Sequence, residues 1–400
     1  MSLLAPRVDR IKPSPSSAAT QRARELRAAG RDVIALTAGE PDFPTPPHVC
    51  EAAVAAMKRG ETRYTTIDGT PEVKEAIRAK FKRENGLEYA SDQIAVANGA
   101  KHIIFNALMA TLAPGDEVII PAPHWVSYTD MTLLAEGVPV VLPCPEEQAF
   151  KLRPAQLEAA ITPRTKWLLL NSPCNPSGAT FSREELQALT DVVLRYPQVH
   201  ILSDDVYEHI VFDNHRFFTP AQVEPGLFDR TLTVNAVSKT YAMTGWRIGY
   251  AGGPATLIRA MRKIQSQSTT NASSVSQAAA RAALDGPQDF VPERAAAFQT
   301  RRDRVVALLA QIPGLRCHKP QGAFYLYPNC AGLMGKCTPA GRRIENDQDL
   351  AMYLLEAAEV AVVQGSAYSL SPYFRISIAA SIELLEEACR RMQRACAALV

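Results

Sequence analysis

The chain is poor in the features that mark metal, membrane or nucleic-acid proteins. Its eight cysteines, at 50, 144, 174, 317, 330, 337, 389 and 396, are scattered, with no C-x-x-C pair among them. That pattern argues against a zinc framework and predicts thiols in a reducing cytoplasm rather than disulfides. Seven dispersed histidines supply no H-E-x-x-H or similar ligand spacing. No apolar run approaches the ~20 residues that span a bilayer. The start, Met1-Ser-Leu-Leu-Ala-Pro-Arg, lacks the apolar core of a secretory leader. The expectation is a cytoplasmic protein with no membrane partner. Basic and acidic residues nearly balance, 43 against 41 for a net charge of +2. Without a basic stripe, nucleic acid is excluded as a partner. No G-x-G-x-x-G follows an early strand pattern, which removes a nicotinamide dehydrogenase.

What is present is an ordinary globular composition, 47% hydrophobic over 400 residues, long enough for a large domain and a smaller one. Residues 1–47 read as a proline-rich arm with one short helical pattern, Thr20 to Ala29, closed by Gly30. From 48 to 285, β-rich runs alternate with helical patterns: Ile94–Ala97, Glu117–Ile120, Pro139–Leu142, Trp167–Asn171, His200–Ser203 and Thr231–Asn235. Pro71–Glu84 reads as an amphipathic helix ended by Asn85-Gly86. The alternation predicts an α/β fold with a mainly parallel sheet covered on both faces. Residues 286–400 read as a smaller α+β domain joined by the arm. It opens on a helical pattern from Gln288 to Gln311, has strand-like segments at Gly322–Pro328 and Val360–Ile378, and ends on a helix, Ile382–Leu399.

In such sheets the ligand lies beyond the carboxyl ends of the strands, and those ends hold Asn98-Gly99-Ala100-Lys101, Ser172-Pro173-Cys174-Asn175, Asp204-Asp205-Val206-Tyr207 and Ser238-Lys239. An ordinary lysine has a pKa near 10.4 and is a poor nucleophile at neutral pH. Desolvated beside other cations, Lys239 loses its proton more readily and condenses with an aldehyde. Ser238 and Arg247 offer a hydroxyl and a planar fork to a phosphate. Gly99 and Ala100, ahead of an apolar helix, offer backbone N–H groups and a positive dipole end to the same phosphate. Asp204 reads either as a helix N-cap or as the carboxylate that keeps a pyridine nitrogen protonated. Asn175 and Tyr207 are residue types that could donate to a ring oxygen, although Asn-Pro-Ser-Gly alone is a common turn. Trp125 reads as core or as a stacking platform. Arg375 reads as a surface cation or, facing a pocket, as a bidentate clamp for a carboxylate.

Several motifs carry a resemblance in order along nearly the whole chain: Ile-Lys-Pro-Ser-Pro (11–15), Gly-Glu-Pro-Asp-Phe (39–43), Arg-Tyr-Thr (63–65), Asn-Ser-Pro-Cys-Asn-Pro-Ser-Gly (171–178), Ser-Asp-Asp-Val-Tyr-Glu-His (203–209), Ser-Lys-Thr-Tyr-Ala-Met-Thr-Gly-Trp-Arg-Ile-Gly-Tyr (238–250), Gly-Ala-Phe-Tyr (322–325) and Phe-Arg-Ile-Ser (374–377). The chain resembles the fold-type I, pyridoxal-phosphate-dependent class I aminotransferases, closely so the bacterial aspartate aminotransferases of the gamma subgroup. The resemblance implies pyridoxal 5'-phosphate as cofactor, with Lys239 bonded to its aldehyde. It also implies Asp204 at the ring nitrogen, Asn175 and Tyr207 at the ring oxygen and Trp125 on the ring face. Ser238, Arg247, Gly99 and Ala100 would hold the phosphate. Tyr64 would reach the phosphate of a neighbouring subunit, implying a homodimer with shared sites. Gly39 and Arg375 match contacts to the substrate's α-carboxylate, and Lys101 matches a lysine associated with a distal carboxylate, with Lys12 of the arm as a further cation.

The implied reaction moves an amino group between an amino acid, aspartate first, and a 2-oxo acid, 2-oxoglutarate, with prephenate and aromatic substrates as alternatives. Departures such as Ala100-Lys101-His102, His124 before Trp125, and Gln364-Gly365-Ser366-Ala367-Tyr368 lie near the substrate. They leave substrate choice less determined than reaction type. A lyase on the same fold would keep Lys239 and Asp204. A transcription regulator would need some 60 to 100 further residues for DNA binding.

Overall fold

A computed structural model describes residues 3–13 and 15–400, so Met1, Ser2 and Ser14 of the Ile-Lys-Pro-Ser-Pro motif lie outside the described residues. In chain order the strands are β1 (Ile34–Ala35), β2 (Ile94–Ala97), β3 (Glu117–Ala122), β4 (Val138–Pro143), β5 (Thr165–Asn171), β6 (His200–Asp204), β7 (Thr231–Ala236), β8 (Gly249–Gly252), β9 (Tyr325–Leu326), β10 (Val360–Ala361), β11 (Val363–Gln364) and β12 (Phe374–Ser377). Seven of them form one sheet in the order β2-β8-β7-β6-β5-β3-β4. β8 runs antiparallel to both of its neighbours, and the other pairings are parallel.

These strands are apolar on both faces because both faces are covered. Val118, Ile120, Leu169 and Leu202 pack to one side with Ile103, Ile104 and Leu108 of a helix. Ile119, Leu168, Leu170 and Ile201 pack to the other with Leu186, Leu189 and Val193. The predicted strands all form, most of them a residue or two longer than the expected run at one or both ends. β8 has no counterpart among the predicted strands. Its sequence, Gly-Tyr-Ala-Gly, has weak strand propensity, and it forms by filling the gap between β2 and β7. Gly249 is required there: a Cβ would overlap the backbone of Gly99 and Ala100.

The first four α-helices are α1 (Pro15–Ala28), α2 (Pro47–Lys58), α3 (Pro71–Lys80) and α4 (Ala100–Thr111). α1 begins earlier than the Thr20 start expected, with Pro at its first position, where a missing N–H costs nothing. α3 ends at Lys80 and widens into a π-turn, Phe81–Asn85, closed by Gly86 at φ +66°.

The arm is stitched to the C-terminal region. β1 pairs parallel with β10, Leu36 N donates to Ala361 O (2.9 Å) and Ser377 N to Leu36 O (2.9 Å). The strand-like alternation of Gly322–Pro328 and Val360–Ile378 resolves into short strands, with β12 between β11 and β9. Ile34, Leu36, Phe298, Phe324 and Leu385 share one core with them. Among the described residues, no helix is long and apolar enough to cross a membrane, and the eight cysteines are unpaired.

Candidate active site

The carboxyl ends of β2, β3, β5, β6 and β7 lie along one rim of the large sheet, and antiparallel β8 starts there, so Arg247 just before it joins them. A 680 Å³ cleft opens over this rim, a volume typical of a small-molecule site. Of the residues expected in the site, Gly39, Ala100, Lys101, Trp125, Asn175 and Asp204 line it, as do Tyr207, Ser238, Lys239, Arg247 and Arg375. Gly99 stands behind Arg247, in a left-handed conformation (φ +89°) that favours glycine, and a Cβ there would run into the guanidinium. Tyr64 is apart. It is 88% exposed and borders a separate depression with Arg63 and Arg281.

Lys239 is half-buried, and its Nζ donates to the Gly39 carbonyl (2.6 Å). Burial, then the nearby Arg247, pulls its pKa down to about 8, with Arg375 adding to the effect and Asp204 and Glu40 opposing it. Arg247 is in turn held by the Thr244 carbonyl (2.7 Å). Ala100 opens α4 without a side-chain cap, leaving first-turn N–H groups beside Ser238 and Arg247 for an anion.

Asp204 caps no helix. It ends β6 in register with Asn171 and is buried. Burial pushes its carboxyl up to about 6, against hydrogen bonds from Tyr128 and the Val206 backbone. Tyr128 Oη donates to Oδ2 at 2.6 Å, while Oδ1 is buried without a partner. A buried carboxylate oxygen left bare is costly, and a protonated ring nitrogen would supply the donor it lacks.

Arg375 of β12 is buried and donates to Asn175 Oδ1 (3.1 Å) and Thr37 O (2.6 Å), with Nε unpartnered. Its fork is oriented before any carboxylate arrives. Lys101 Nζ lies 4.7 Å from the centre of the Trp125 ring. Burial and Arg247 lower its pKa, and Asp130 opposes them. Tyr207 Oη shares a hydrogen bond with Tyr325 Oη (3.0 Å), and burial keeps the phenol neutral. The donor set therefore fits pyridoxal phosphate: a bare carboxylate oxygen for the ring nitrogen, a helix start with a serine and an arginine for the phosphate, and an amine of lowered pKa for the aldehyde.

Sequence reasoning did not single out Tyr128 or Asn171. Tyr128 stands inside the Trp-Val-Ser-Tyr motif, but its aim at Asp204 depends on how the 127–134 helix packs. Asn171, a polar residue ending an apolar strand, carried a readable signal: it donates to Asp204 O (2.8 Å) and accepts from Asn175 N (2.8 Å). Thr20, Gln21 and Arg24 of α1 also line the cleft, brought there by the β1–β10 pairing. Tyr128→Phe is expected to weaken cofactor binding by roughly 10-fold, the scale of one hydrogen bond to a charged group. It should also move the acid limb of kcat/KM to higher pH, because Tyr128 holds the Asp204 carboxyl down. A pH–rate profile unchanged from wild type would rule this role out.

Comparison with known proteins places the geometry in a family. The profile of aminotransferase class I and II matches residues 31–392. The chain is 58% identical over 399 residues, covering both chains in full, to the aspartate/prephenate aminotransferase of Cereibacter sphaeroides. It is 60% identical to an aspartate aminotransferase of Rhizobium meliloti, over 94% of this chain and 92% of that one. A crystal structure of a Rhizobium meliloti aspartate aminotransferase superposes with a TM-score of 0.97 at 57% identity, with both chains fully covered. The Thermus thermophilus aspartate aminotransferase with maleate gives a TM-score of 0.92 at 41% identity, over 99% of this chain and all of that one. A cleft shaped for pyridoxal phosphate, a profile match over most of the length and relatives alike from end to end agree, and the chain belongs to the class I and II aminotransferases.

Proposed function

We propose that this aminotransferase transfers the amino group of aspartate to 2-oxoglutarate. The observation that carries the reading is a pair of cations lining the same cleft as the Lys239 amine, a pre-oriented, buried Arg375 and the Lys101 ammonium over the Trp125 ring. Bound pyridoxal phosphate, on which these enzymes depend, supplies a conjugated ring that accepts the electron pair left when the substrate's Cα–H bond breaks. Arg375 grips the α-carboxylate in two parallel hydrogen bonds and fixes which bond faces Lys239. Lys239 Nζ, its pKa pulled down to about 8, takes the Cα proton as base and returns a proton as acid. Asp204 would hold the ring nitrogen's proton. Tyr207 and Asn175 would hold the ring oxygen, Trp125 would support the ring face, and Ser238, Arg247, Gly99 and Ala100 would hold the phosphate.

Lys101 takes the distal carboxylate. A substrate without one leaves the ammonium unpaired as the cleft dehydrates, which penalises neutral amino acids. Lys101→Ala is expected to lower kcat/KM for aspartate about 100-fold while the values for alanine and phenylalanine fall by no more than about threefold. Equal losses for every donor would assign Lys101 to the phosphate loop instead.

A second reading, aspartate/prephenate aminotransferase, is supported by the Cereibacter sphaeroides relative's name and by the parking of Lys101 on Trp125. A flexible point charge can swing aside for a bulkier acid where a second arginine fork would not. Prephenate offered as amino acceptor against 2-oxoglutarate separates the two.

The working unit proposed is a cytoplasmic homodimer in which exposed Tyr64 reaches the phosphate end of the partner's site. Each chain comprises an arm (1–47), a cofactor-binding domain (48–285) and a small domain (286–400) that carries Arg375 and closes on the substrate.

A further inference from the structure

Behind the active-site rim, on the side of Lys239 away from the cleft, lies a buried polar cluster that the chemistry above does not use. Lys80, fully buried at the end of α3, forms an ion pair with Glu208 and donates to Asn85 Oδ1 (2.8 Å). Asn85 Nδ2 donates to Glu208 Oε2 (3.0 Å). The other Glu208 oxygen accepts from Asn235 Nδ2 (2.7 Å), and Asn235 Oδ1 accepts from Ala236 N (2.7 Å). The second branch runs through His209, whose Nε2 meets Glu84 Oε2 (2.9 Å) and whose Nδ1 meets the Thr240 hydroxyl (3.1 Å).

Glu84, Glu208 and His209 lie close enough to ligate a cation together, but the Lys80 ammonium already satisfies both carboxylates. The two branches instead end on either side of one residue. Asn235–Ala236 lead into the loop of Lys239, and Thr240 follows it. Both branches start from the π-turn, whose wider spacing turns Glu84 and Asn85 inward together, and such turns recur where function needs them. Glu84 remains ionised through the working range: burial opposes this, but the hydrogen bond from His209, then Lys80 and Arg83, hold its carboxyl at about 2.

We propose that His209, anchored by Glu84, is a positioning residue for Lys239, clamping the main chain beyond it through the Thr240 hydroxyl while Lys80, Glu208 and Asn235 clamp the strand before it. The lysine's Nζ must meet both the cofactor and the substrate Cα, so its backbone has to stay still while its side chain swings. A misplacement near 1 Å can cost about 100-fold in rate. The proposal rests on the reading of Lys239 as the catalytic lysine.

The test uses holoenzyme carrying Thr240→Val, Thr240→Ser or His209→Phe. Thr240→Val removes one hydroxyl at nearly constant volume. It is expected to lower kcat about 10-fold with KM for aspartate and 2-oxoglutarate within about twofold. It should also displace the pH midpoint of the cofactor's visible absorption by at least about half a unit. Thr240→Ser restores both, and His209→Phe reproduces the losses. Wild-type kcat and an unmoved midpoint in folded Thr240→Val would overturn the clamp, as would a loss confined to KM; where His209→Phe does not fold, the Thr240 pair decides alone. Borohydride labelling keeps the two readings apart. Label on another lysine in the wild-type enzyme sinks the catalytic assignment, whereas label on Lys239 with unchanged kinetics in the variants sinks only the clamp.

Discussion

Lys239→Ala is expected to lower transamination by at least about 10⁴-fold, the upper range for loss of a positioned acid–base group, while leaving a folded protein that still binds pyridoxal phosphate. Borohydride treatment of the coloured wild-type enzyme should fix the cofactor to the Lys239 peptide, and the variant should lose its label on washing. The reason is the local field. With a pKa near 8, about a tenth of this amine is neutral at pH 7, whereas an ordinary lysine near 10.4 is almost entirely protonated. The same depression has a signature in stability. Between pH 8 and about 10.4 the unfolded chain binds a proton that the folded chain has released, so this residue's contribution to stability rises with pH across that window. Denaturant midpoints of cofactor-free protein between pH 7 and 9.5 should therefore rise less steeply in Lys239→Ala. Labelling at a different lysine, or near-normal turnover in the variant, would remove the assignment.

Asp204→Ala should reduce turnover by about 10³-fold, the scale for deleting one pre-organised charged partner in a dehydrated site, with cofactor binding weaker but measurable. The loss comes from electronics rather than grip, because the phosphate end, with Ser238 and Arg247, remains. Without a carboxylate against it, the ring nitrogen would not keep its proton and the ring would become a weaker electron sink. Near-normal turnover would transfer the role to another acid. The adjacent carboxylate, Asp205, is turned the other way, where Ser203 Oγ donates to it (2.6 Å), so Asp204→Ala with an added Asp205→Asn would separate the two.

The cleft was legible in the sequence because parallel sheets deliver ligand contacts at strand ends, and the strands announced themselves as short, β-rich runs. Once those runs were ordered, Asn175, Asp204 and Lys239 fell at one rim without knowledge of any contact. Ala100 and Arg247 were readable for a similar local reason: a helix start and a nearby cation are features of sequence spacing. What failed was local too. Gly249–Gly252 lacks the residues that favour a strand by themselves, so β8 appears only when β2 and β7 leave a slot between them.

By itself, then, the sequence determined the alternation of strand and helix, the rim on which chemistry sits, and the lysine, aspartate and arginine that face it. Those follow from periodicity and from side-chain chemistry, which act within a few residues. Tertiary structure decided everything that depends on two distant segments arriving at the same point. It aimed Tyr128 at one oxygen of Asp204 and left the other bare. It brought Thr20 and Arg24 over the cleft by pairing the arm with β10. It gathered Lys80, Glu84, Glu208 and His209 behind Lys239, from segments more than a hundred residues apart. A buried ion pair or an orphaned oxygen is a property of packing and dehydration, and no stretch of chain encodes those before the chain has folded around it.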